Sequence, residues 1–408
     1  MEAKCPPFPR VRCLLVRTTN GPIIPSPAMK KLISLLLACI TIAASAAQPS
    51  PEDFVKRNDR NGDGKLSREE FPEWAKSKFD VIDTDHDGFV TVDEMRAFLA
   101  KQGGAANGGN PAPPAASGEK KQNGPNQTLP TPTHADVSYG PDESNVLDFW
   151  QAPAGAPNPL LVMIHGGGFR MGSKSQMSAA LLQQCLQSGI SVASIEYRFT
   201  QKAPYPAQMM DCARALQFIR SRAGEWGIDP KRVASTGGSA GAGISLWLGF
   251  HKDLADPNST DPVARESTRL TCILPTNMQC TYDPRVIKTL IPGNAYDVSA
   301  IKFLYGLPVT FNWDKDTISP ELDAKITDAA PITHLTKDAP PVYAVSAKAN
   351  DVPGNIHNAN FARHLKKLMD ALGIECVIHM DSDFATPQAS LEDKMAFLNK
   401  HLGVADQK

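Results

Sequence analysis

The chain has 408 residues, of which 42% are apolar and 21% are charged, as in an ordinary soluble globular protein. Its 42 basic and 43 acidic residues give a net charge of −1, which argues against a basic nucleic-acid-binding surface and against an acidic disordered chain. The length predicts two or three domains, and no internal apolar run reaches the roughly 18 residues that a membrane-spanning helix needs.

The first predicted element is an export signal. Residues 29–31 read Met-Lys-Lys, residues 32–47 carry no charge, and small residues allow cleavage after Ala46 or Ala47. We therefore predict a periplasmic or extracellular protein. The alternative is a lipoprotein signal, in which Cys39 carries a lipid anchor.

Two acidic loops follow, and both fit the EF-hand pattern. Segments 59–70 and 83–94 each place oxygen-bearing side chains at loop positions 1, 3, 5 and 9, glycine at 6 and glutamate at 12. Two complete loops predict a module that binds Ca²⁺ for a structural or tethering role. The predicted ligands are Asp59, Asn61, Asp63, Lys65, Ser67, Glu70, Asp83, Asp85, Asp87, Phe89, Thr91 and Glu94. Lys65 and Phe89 contribute only the backbone carbonyl.

The rest of this module should be a small helical body. At loop position 8, Leu66 and Val90 are predicted to pair as a short β-bridge. A shared apolar core is predicted from Phe54, Phe71, Trp74, Phe79, Met95, Phe98 and Leu99. The stretch that follows is rich in Gly, Pro, Ala, Asn and Gln and predicts a flexible linker.

The predicted organisation thus has four parts: residues 1–47 (upstream extension and signal peptide), 48–102 (EF-hand pair), 103–134 (linker) and 135–403 (α/β domain). In the last part apolar strands alternate with amphipathic helices, which predicts a mainly parallel sheet covered by helices on both faces. The predicted strands are residues 145–150, 160–165, 192–197, 233–236, 271–275, 342–347 and 376–380. The predicted helices are residues 176–188, 207–225, 240–250, 358–372 and 391–401.

Two glycine-rich motifs lie where this domain would carry chemistry. The run 237–241 reads Gly-Gly-Ser-Ala-Gly between a predicted strand and a predicted helix, so a tight turn should push the Ser239 hydroxyl clear of the backbone. The run 165–169 reads His-Gly-Gly-Gly-Phe directly after another strand. Its backbone N–H groups, together with that of Ala240, are predicted to form an oxyanion hole.

These motifs resemble the α/β-hydrolases of the hormone-sensitive-lipase and acetyl-esterase (carboxylesterase) type. The resemblance extends over about residues 135–403 and is densest in the first half. The matching segments are residues 165–169, 196–198, 204–207, 227–233 and 237–241, together with Asp211. The resemblance implies the α/β-hydrolase fold and an exported serine esterase that cleaves a small-molecule ester through an acyl-enzyme. Ser239 would be the nucleophile, Gly167, Gly168 and Ala240 would hold the oxyanion, and a cap would come from segments near 170–185 and 280–325.

The acid and the base are harder to place. In this fold the triad follows the order Ser, Asp or Glu, His, and the acid aligns at Asn350 or Asp351, of which we predict Asp351. The loop 381–385, where the resemblance leads us to expect the histidine, reads Asp-Ser-Asp-Phe-Ala. The predicted substitute is His357, because it lies six residues after Asp351 at the start of a helix.

The other histidines have plainer explanations. His379 lies inside a predicted strand and His364 and His401 lie on helix faces, so we predict structural or surface roles for them; His165 should buttress the oxyanion loop. Without an effective base a serine hydroxyl is a poor nucleophile. A second function class therefore stays open, namely a catalytically impaired hydrolase-fold binding protein with a calcium-binding tether.

Five cysteines remain after the predicted cleavage site: Cys185, Cys212, Cys272, Cys280 and Cys376. Because the number is odd, they cannot all pair within the chain. A disulfide between Cys272 and Cys280 would close a short loop, and otherwise these residues should be buried and inert.

Overall fold

The computed structural model describes residues 55, 58–71, 79–85, 87–103 and 129–404, except residues 154 and 156. The predicted signal, Cys39, most of the predicted linker, Phe54, Trp74 and the side chain of Leu99 lie outside the described part. The chain divides into two compact units, residues 1–107 and 108–408. Within the described ranges, no helix has the length and apolar character needed to cross a bilayer.

The first unit contains the two acidic loops. Its described elements are β1 (Lys65–Ser67), α1 (Phe79–Ile82), β2 (Phe89–Thr91) and α2 (Val92–Gly103). β1 and β2 pair antiparallel with Leu66 opposite Val90, which confirms the predicted bridge. Both side chains are fully buried in a small apolar core that also contains Phe71, Phe79 and Met95.

The second unit is built on an eight-stranded sheet of order β10-β9-β8-β7-β5-β6-β4-β3. Its strands are β3 (His134–Ser138), β4 (Val146–Trp150), β5 (Asn158–Ile164), β6 (Ser191–Ile195), β7 (Ile228–Gly238), β8 (Cys272–Thr276), β9 (Val342–Ser346) and β10 (Cys376–Met380). The six strands from β6 to β10 across the sheet are parallel. At the other edge β4 pairs antiparallel with β6 and β3 pairs antiparallel with β4, so β4 alone runs against the other seven strands. The predicted α/β-hydrolase architecture, a mainly parallel sheet, is confirmed.

Helices cover both faces of this sheet. They are α3 (Ala179–Gln187), α4 (Ala207–Ser221), α5 (Ala240–Phe250), α6 (Pro284–Leu290), α7 (Ser299–Leu304), α8 (Pro320–Ala329), α9 (Asn360–Ala371) and α10 (Pro387–Leu402). One core packs α4, α5 and α9 against one face, and a second core packs α3 and α10 against the other. Every residue of β5 is buried, as expected for a central parallel strand with both faces covered.

Some elements differ from the sequence-based expectation. β3 begins at His134, inside the predicted linker, because its backbone pairs with β4 at the sheet edge. The segment 280–325, predicted as loop-like cap, contains α6, α7 and the start of α8. The sequence signal for two of these helices is a capping residue followed by proline, Asp283-Pro284 and Ser319-Pro320, in which each capping side chain accepts a backbone N–H of the first turn.

The cysteines of the second unit form no disulfide. Cys185, Cys212, Cys272, Cys280 and Cys376 are all buried thiols. The considered pairing of Cys272 with Cys280 is therefore wrong, and the expectation of buried, inert cysteines is confirmed. Burial raises the pKa of the Cys272 thiol to about 12, so this thiol stays protonated and unreactive.

Candidate active site

Ser239 lies on a sharp turn between the last residue of β7 and the first residue of α5. Its φ of 51° and ψ of −120° are rare for a residue with a side chain. An added Cβ at Gly237 would lie 2.5 Å from the Ile164 carbonyl oxygen, and one at Gly241 would lie 2.0 Å from the same oxygen. Both glycines are therefore required because the turn packs directly against the end of β5.

The predicted oxyanion residues follow β5 at the same edge of the sheet. An added Cβ at Gly166 would lie 3.5 Å from Ser239 Cβ, so the glycine run starts in contact with the serine. Gly167 and Gly168 have φ of 112° and 59°, in the region that favours glycine. Among the described residues, the backbone N–H groups of Gly167, Gly168 and Ala240 donate to no protein acceptor. These groups are available to bind a substrate oxygen.

His165 supports this loop from below, as predicted. Its side chain is buried and its ring stacks on Tyr197 with centroids 4.3 Å apart. The Tyr197 hydroxyl donates to the His165 carbonyl oxygen at 3.0 Å. His165 Nε2 lies 3.0 Å from Glu196 Oε2, although the two groups are not aligned for a hydrogen bond. The histidine therefore acts as packing for the loop.

Ser239 Oγ lies 2.8 Å from His357 Nε2, within hydrogen-bond distance. The imidazole comes from the segment between β9 and α9, which crosses the end of the sheet. The backbone N–H of His357 donates to Asn355 Oδ1 at 2.8 Å, and Asn355 Nδ2 donates to Asn350 Oδ1 at 3.3 Å. Two asparagines therefore fix the loop that presents His357, a role that the sequence analysis did not assign to them.

The predicted contact between Asp351 and His357 is not formed. Both carboxylate oxygens of Asp351 accept hydrogen bonds from the Arg363 guanidinium, at 3.0 and 2.8 Å. A planar guanidinium matches a carboxylate better than one imidazole N–H does, which explains why Asp351 turns to α9. In the described part of the chain no carboxylate contacts His357, so the site contains a Ser–His pair in place of the predicted triad.

The remaining histidines lie elsewhere, in agreement with their predicted structural roles. His379 Nε2 is 3.4 Å from Asp393 Oδ2, and His401 Nε2 is 3.1 Å from Glu375 Oε2. In the loop after β10, Asp381 Oδ1 accepts the Lys348 N–H at 2.8 Å. Aspartates that fix backbone therefore occupy the loop in which a catalytic histidine was expected.

A cavity of about 470 Å³ lies beside the Ser–His pair. Ser239, His357 and Asn350 line it, and Gly166 and Gly238 contribute backbone to its wall. This volume is within the range of small-molecule sites.

In both EF-hand-like loops the glutamate at position 12, Glu70 or Glu94, accepts backbone N–H groups of its own loop. Glu70 accepts the backbone N–H groups of Arg60, Asn61 and Ser67. The hydrogen bonds from Ser67 contribute most to lowering the pKa of Glu70 to about 2, so it is ionised at neutral pH.

The second loop holds three carboxylates close together. Oxygens of Asp83, Asp85 and Asp87 lie within 4.8 Å of one another. Asp83 Oδ1 is buried and has no hydrogen-bond partner among the described residues. A bound cation would offset the repulsion among these three carboxylates and would give the buried Asp83 oxygen a partner. These residues therefore fit Ca²⁺.

Models of known protein families match segments in both units of the chain. A family model described as BD-FAE matches residues 147–276, and models described as EF hand and EF-hand domain match residues 57–72 and 74–104. The chain therefore has the α/β-hydrolase fold, preceded by segments that match EF-hand models. The matched part of the hydrolase includes the glycine run after β5 and the Ser239 turn.

Curated relatives of this hydrolase carry esterase names. It is 26% identical over 250 residues to the Mycobacterium tuberculosis protein named Probable carboxylic ester hydrolase LipM, covering 58% of this chain and 53% of the relative. It is 24% identical to Esterase LipQ from the same organism, covering 57% and 52%. The chain thus spans about half the length of these curated relatives.

A solved structure shows the same fold. It is titled a truncated form of carbohydrate esterase from gut microbiota and aligns with a TM-score of 0.53 at 19% identity, covering 68% of this chain and 99% of that chain. Nearly the whole of that protein therefore corresponds to the hydrolase unit described here.

Proposed function

We propose that this protein is a serine carboxylic-ester hydrolase that works through an acyl-enzyme, with Ser239 as nucleophile and His357 as general base. The observation that carries this proposal is the 2.8 Å contact between Ser239 Oγ and His357 Nε2 on a strained strand–helix turn. The esterase names of LipM and LipQ support the same reaction class.

The reaction would proceed in two halves. Ser239 Oγ attacks the ester carbonyl carbon while its proton moves to His357 Nε2, and the resulting oxyanion accepts hydrogen bonds from the N–H groups of Gly167, Gly168 and Ala240. The alcohol leaves with the proton from His357. A water molecule, deprotonated by the same imidazole, then attacks the acyl-serine and releases the acid, which restores the Ser239 hydroxyl.

The Ser–His pair makes one step harder than in a full triad. No carboxylate among the described residues stabilises the imidazolium that forms when His357 accepts the proton. Burial adds to this, since it disfavours the charged ring. We therefore expect turnover to be slower than in a triad enzyme, because no described carboxylate orients the imidazole or offsets its charge, and Asn355 holds only the backbone of His357.

The test compares p-nitrophenyl acetate hydrolysis by the unaltered protein and by Ser239→Ala. We expect kcat/KM to fall by about 10³-fold or more, as for other serine hydrolases that lose the nucleophile. A fluorophosphonate probe should label the unaltered protein and leave Ser239→Ala unlabelled. Ser382→Ala, an exposed serine outside the site, is the matched control. Equal rates for all three proteins would reject the proposal.

The pH dependence should report the burial of His357. Burial lowers the pKa of this imidazole from its ordinary value of about 6.5. Since only the neutral ring can accept the serine proton, activity should persist on acidification below that value and be lost as pH falls through the lowered pKa. The measurement is a pH profile of kcat/KM in saturating CaCl₂, in which hydrolysis is monitored by titrating the released acid. A midpoint at or above 6.5 would contradict this account.

We also propose that each EF-hand loop binds one Ca²⁺ and that the ion stabilises the N-terminal module. Calorimetric titration of the full chain should show two bound ions. Glu70→Gln should weaken the first site about tenfold or more, because affinity follows the number of charged oxygens in the loop. Its neighbour Glu69 is exposed and precedes the bidentate position, so Glu69→Gln is the matched control. Equal effects of the two changes would remove Glu70 from the ligand set.

Export is a further part of the proposal, and it rests on residues 29–47. N-terminal sequencing of protein recovered from the periplasm or medium should begin at Ala47 or Gln48. A lipid-modified N-terminus at Cys39 would instead support the lipoprotein alternative, and retention in the cytoplasm would refute export.

A second candidate function is favoured by one observation: no carboxylate contacts His357 in the part of the chain that the structure describes. It is a hydrolase-fold binding protein that keeps the cavity but has little turnover, tethered by its calcium module. The Ser239→Ala comparison separates the two, because a binding protein would show equal rates with and without the hydroxyl.

A further inference from the structure

Lys394 carries a basic side chain and is one of the described residues that line the active-site cavity. Lys394 lies on α10 and lines the same cavity as Ser239 and His357. Apolar side chains of Met163, Met177 and Leu181 form the wall on this side of the sheet. The cavity thus joins a reactive hydroxyl, an apolar wall and a single lysine.

Lys394 differs from the other largely buried lysines. Lys174 is 2.7 Å from an oxygen of Asp148, and Lys302 is 2.8 Å from an oxygen of Asp297. Across the described ranges, Lys394 has no ion pair or hydrogen bond. Burial lowers the pKa of its amine, as expected for a cation that has lost water without gaining a partner.

The surroundings of Lys394 do not neutralise it. No aspartate or glutamate is among the described residues that line the cavity. Cys185 is the nearby titratable group, and burial raises the pKa of its thiol to about 12, so it is neutral. The protonated form of Lys394 therefore has no counter-ion among the described residues, and an anionic ligand in the cavity would stabilise it.

We propose that Lys394 binds a carboxylate carried by the ester substrate, so that this hydrolase prefers anionic esters over neutral ones. The inference rests on the proposed esterase function and narrows its substrate class. An alkyl segment between the ester carbonyl and the carboxylate would lie along the apolar wall, and the amides of Gln176 and Asn350, which also line the cavity, supply further polar atoms there.

The test uses two acyl groups of similar length, in p-nitrophenyl butyrate and the mono-p-nitrophenyl ester of succinic acid. The unaltered protein should have the higher kcat/KM for the succinate ester after subtraction of the Ser239→Ala blank. Lys394→Met should lower kcat/KM for the succinate ester about tenfold or more while changing that for butyrate less than about threefold, because only the charged contact is lost. Lys394→Arg should retain the preference, and Lys367→Met, an exposed lysine on α9, should change neither.

Two results would overturn the inference: an unchanged succinate-to-butyrate ratio in Lys394→Met, or equal losses on both esters, which would make Lys394 part of the general machinery. Thermal unfolding of each variant shows whether it folds normally. If Lys394→Met is destabilised, kcat/KM for the two esters is compared between Lys394→Arg and Lys394→Gln instead. If neither ester is turned over, the proposed function fails. Lys394 is then tested by calorimetry with glutarate, which should bind the unaltered protein at least about tenfold more tightly than Lys394→Met; equal affinities reject the site.

Discussion

Replacing His357 by glutamine is expected to lower kcat/KM for p-nitrophenyl acetate by about 10⁴-fold. The imidazole is the described group within hydrogen-bond distance of Ser239 Oγ, and glutamine cannot accept the serine proton at neutral pH. His364→Gln is the matched control, because burial lowers the pKa of that imidazole as well while its position on α9 is outside the cavity lining. A loss of less than tenfold in His357→Gln would show that another group serves as the base.

A second variant, Asp351→Asn, tests whether a carboxylate assists His357. In a triad the loss of the acid costs about as much as 10⁴-fold in kcat. Here both carboxylate oxygens bind Arg363, so we expect less than about a tenfold loss, mostly through the position of the loop. If Asp351→Asn were as inactive as His357→Gln, the carboxylate would have to reach the imidazole during the reaction, and the Ser–His account would be wrong.

Gly241→Ala is expected to destabilise the hydrolase unit by about 3 kcal/mol, the upper end of the usual cost of overpacking. The new methyl group would lie 2.0 Å from the Ile164 carbonyl oxygen and 2.6 Å from that of His165. Both are backbone atoms of the segment that leads into the oxyanion loop, so neither can turn aside as a flexible side chain could. α5 would have to move away from β5, and the Ser239 turn with it.

Urea unfolding followed by tryptophan fluorescence measures this effect, since four of the five tryptophans lie in the hydrolase unit. Gly224→Ala is the control, because no atom lies within 4 Å of its added Cβ; it should change stability by less than about 1 kcal/mol. If Gly241→Ala cannot be obtained as soluble protein while Gly224→Ala is obtained in normal yield, that outcome also supports the predicted destabilisation. Equal unfolding midpoints would contradict it.

The sequence identified the features whose chemistry is local. Each EF-hand loop spans twelve consecutive residues, so the loops and the Leu66–Val90 pairing could be predicted from spacing alone. The Ser239 turn and the glycine run after β5 were equally readable. Glycine is required there because backbone segments approach closely, and the predicted strands and helix on either side indicate where the approach takes place.

The predicted cap segment, residues 280–325, was harder to predict because its first two helices, α6 and α7, are short. α7 has six residues, too few for an amphipathic pattern to develop, and its stability depends on packing against the rest of the unit. β3 was missed for a related reason. As an edge strand it alternates polar and apolar residues weakly, and its existence depends on pairing with β4.

What the sequence by itself determined is the fold class, the glycine-flanked turn of Ser239 and the EF-hand loops, because each rests on patterns of neighbouring residues. The tertiary structure decided which imidazole contacts Ser239 across 118 residues of chain and that Asp351 pairs with Arg363. It also decided that Lys394 lines the cavity with no counter-ion among the residues that the structure describes. Those outcomes depend on distances and competing partners between separate elements, and no local pattern encodes which of several charged groups will find each other once the sheet and helices have packed.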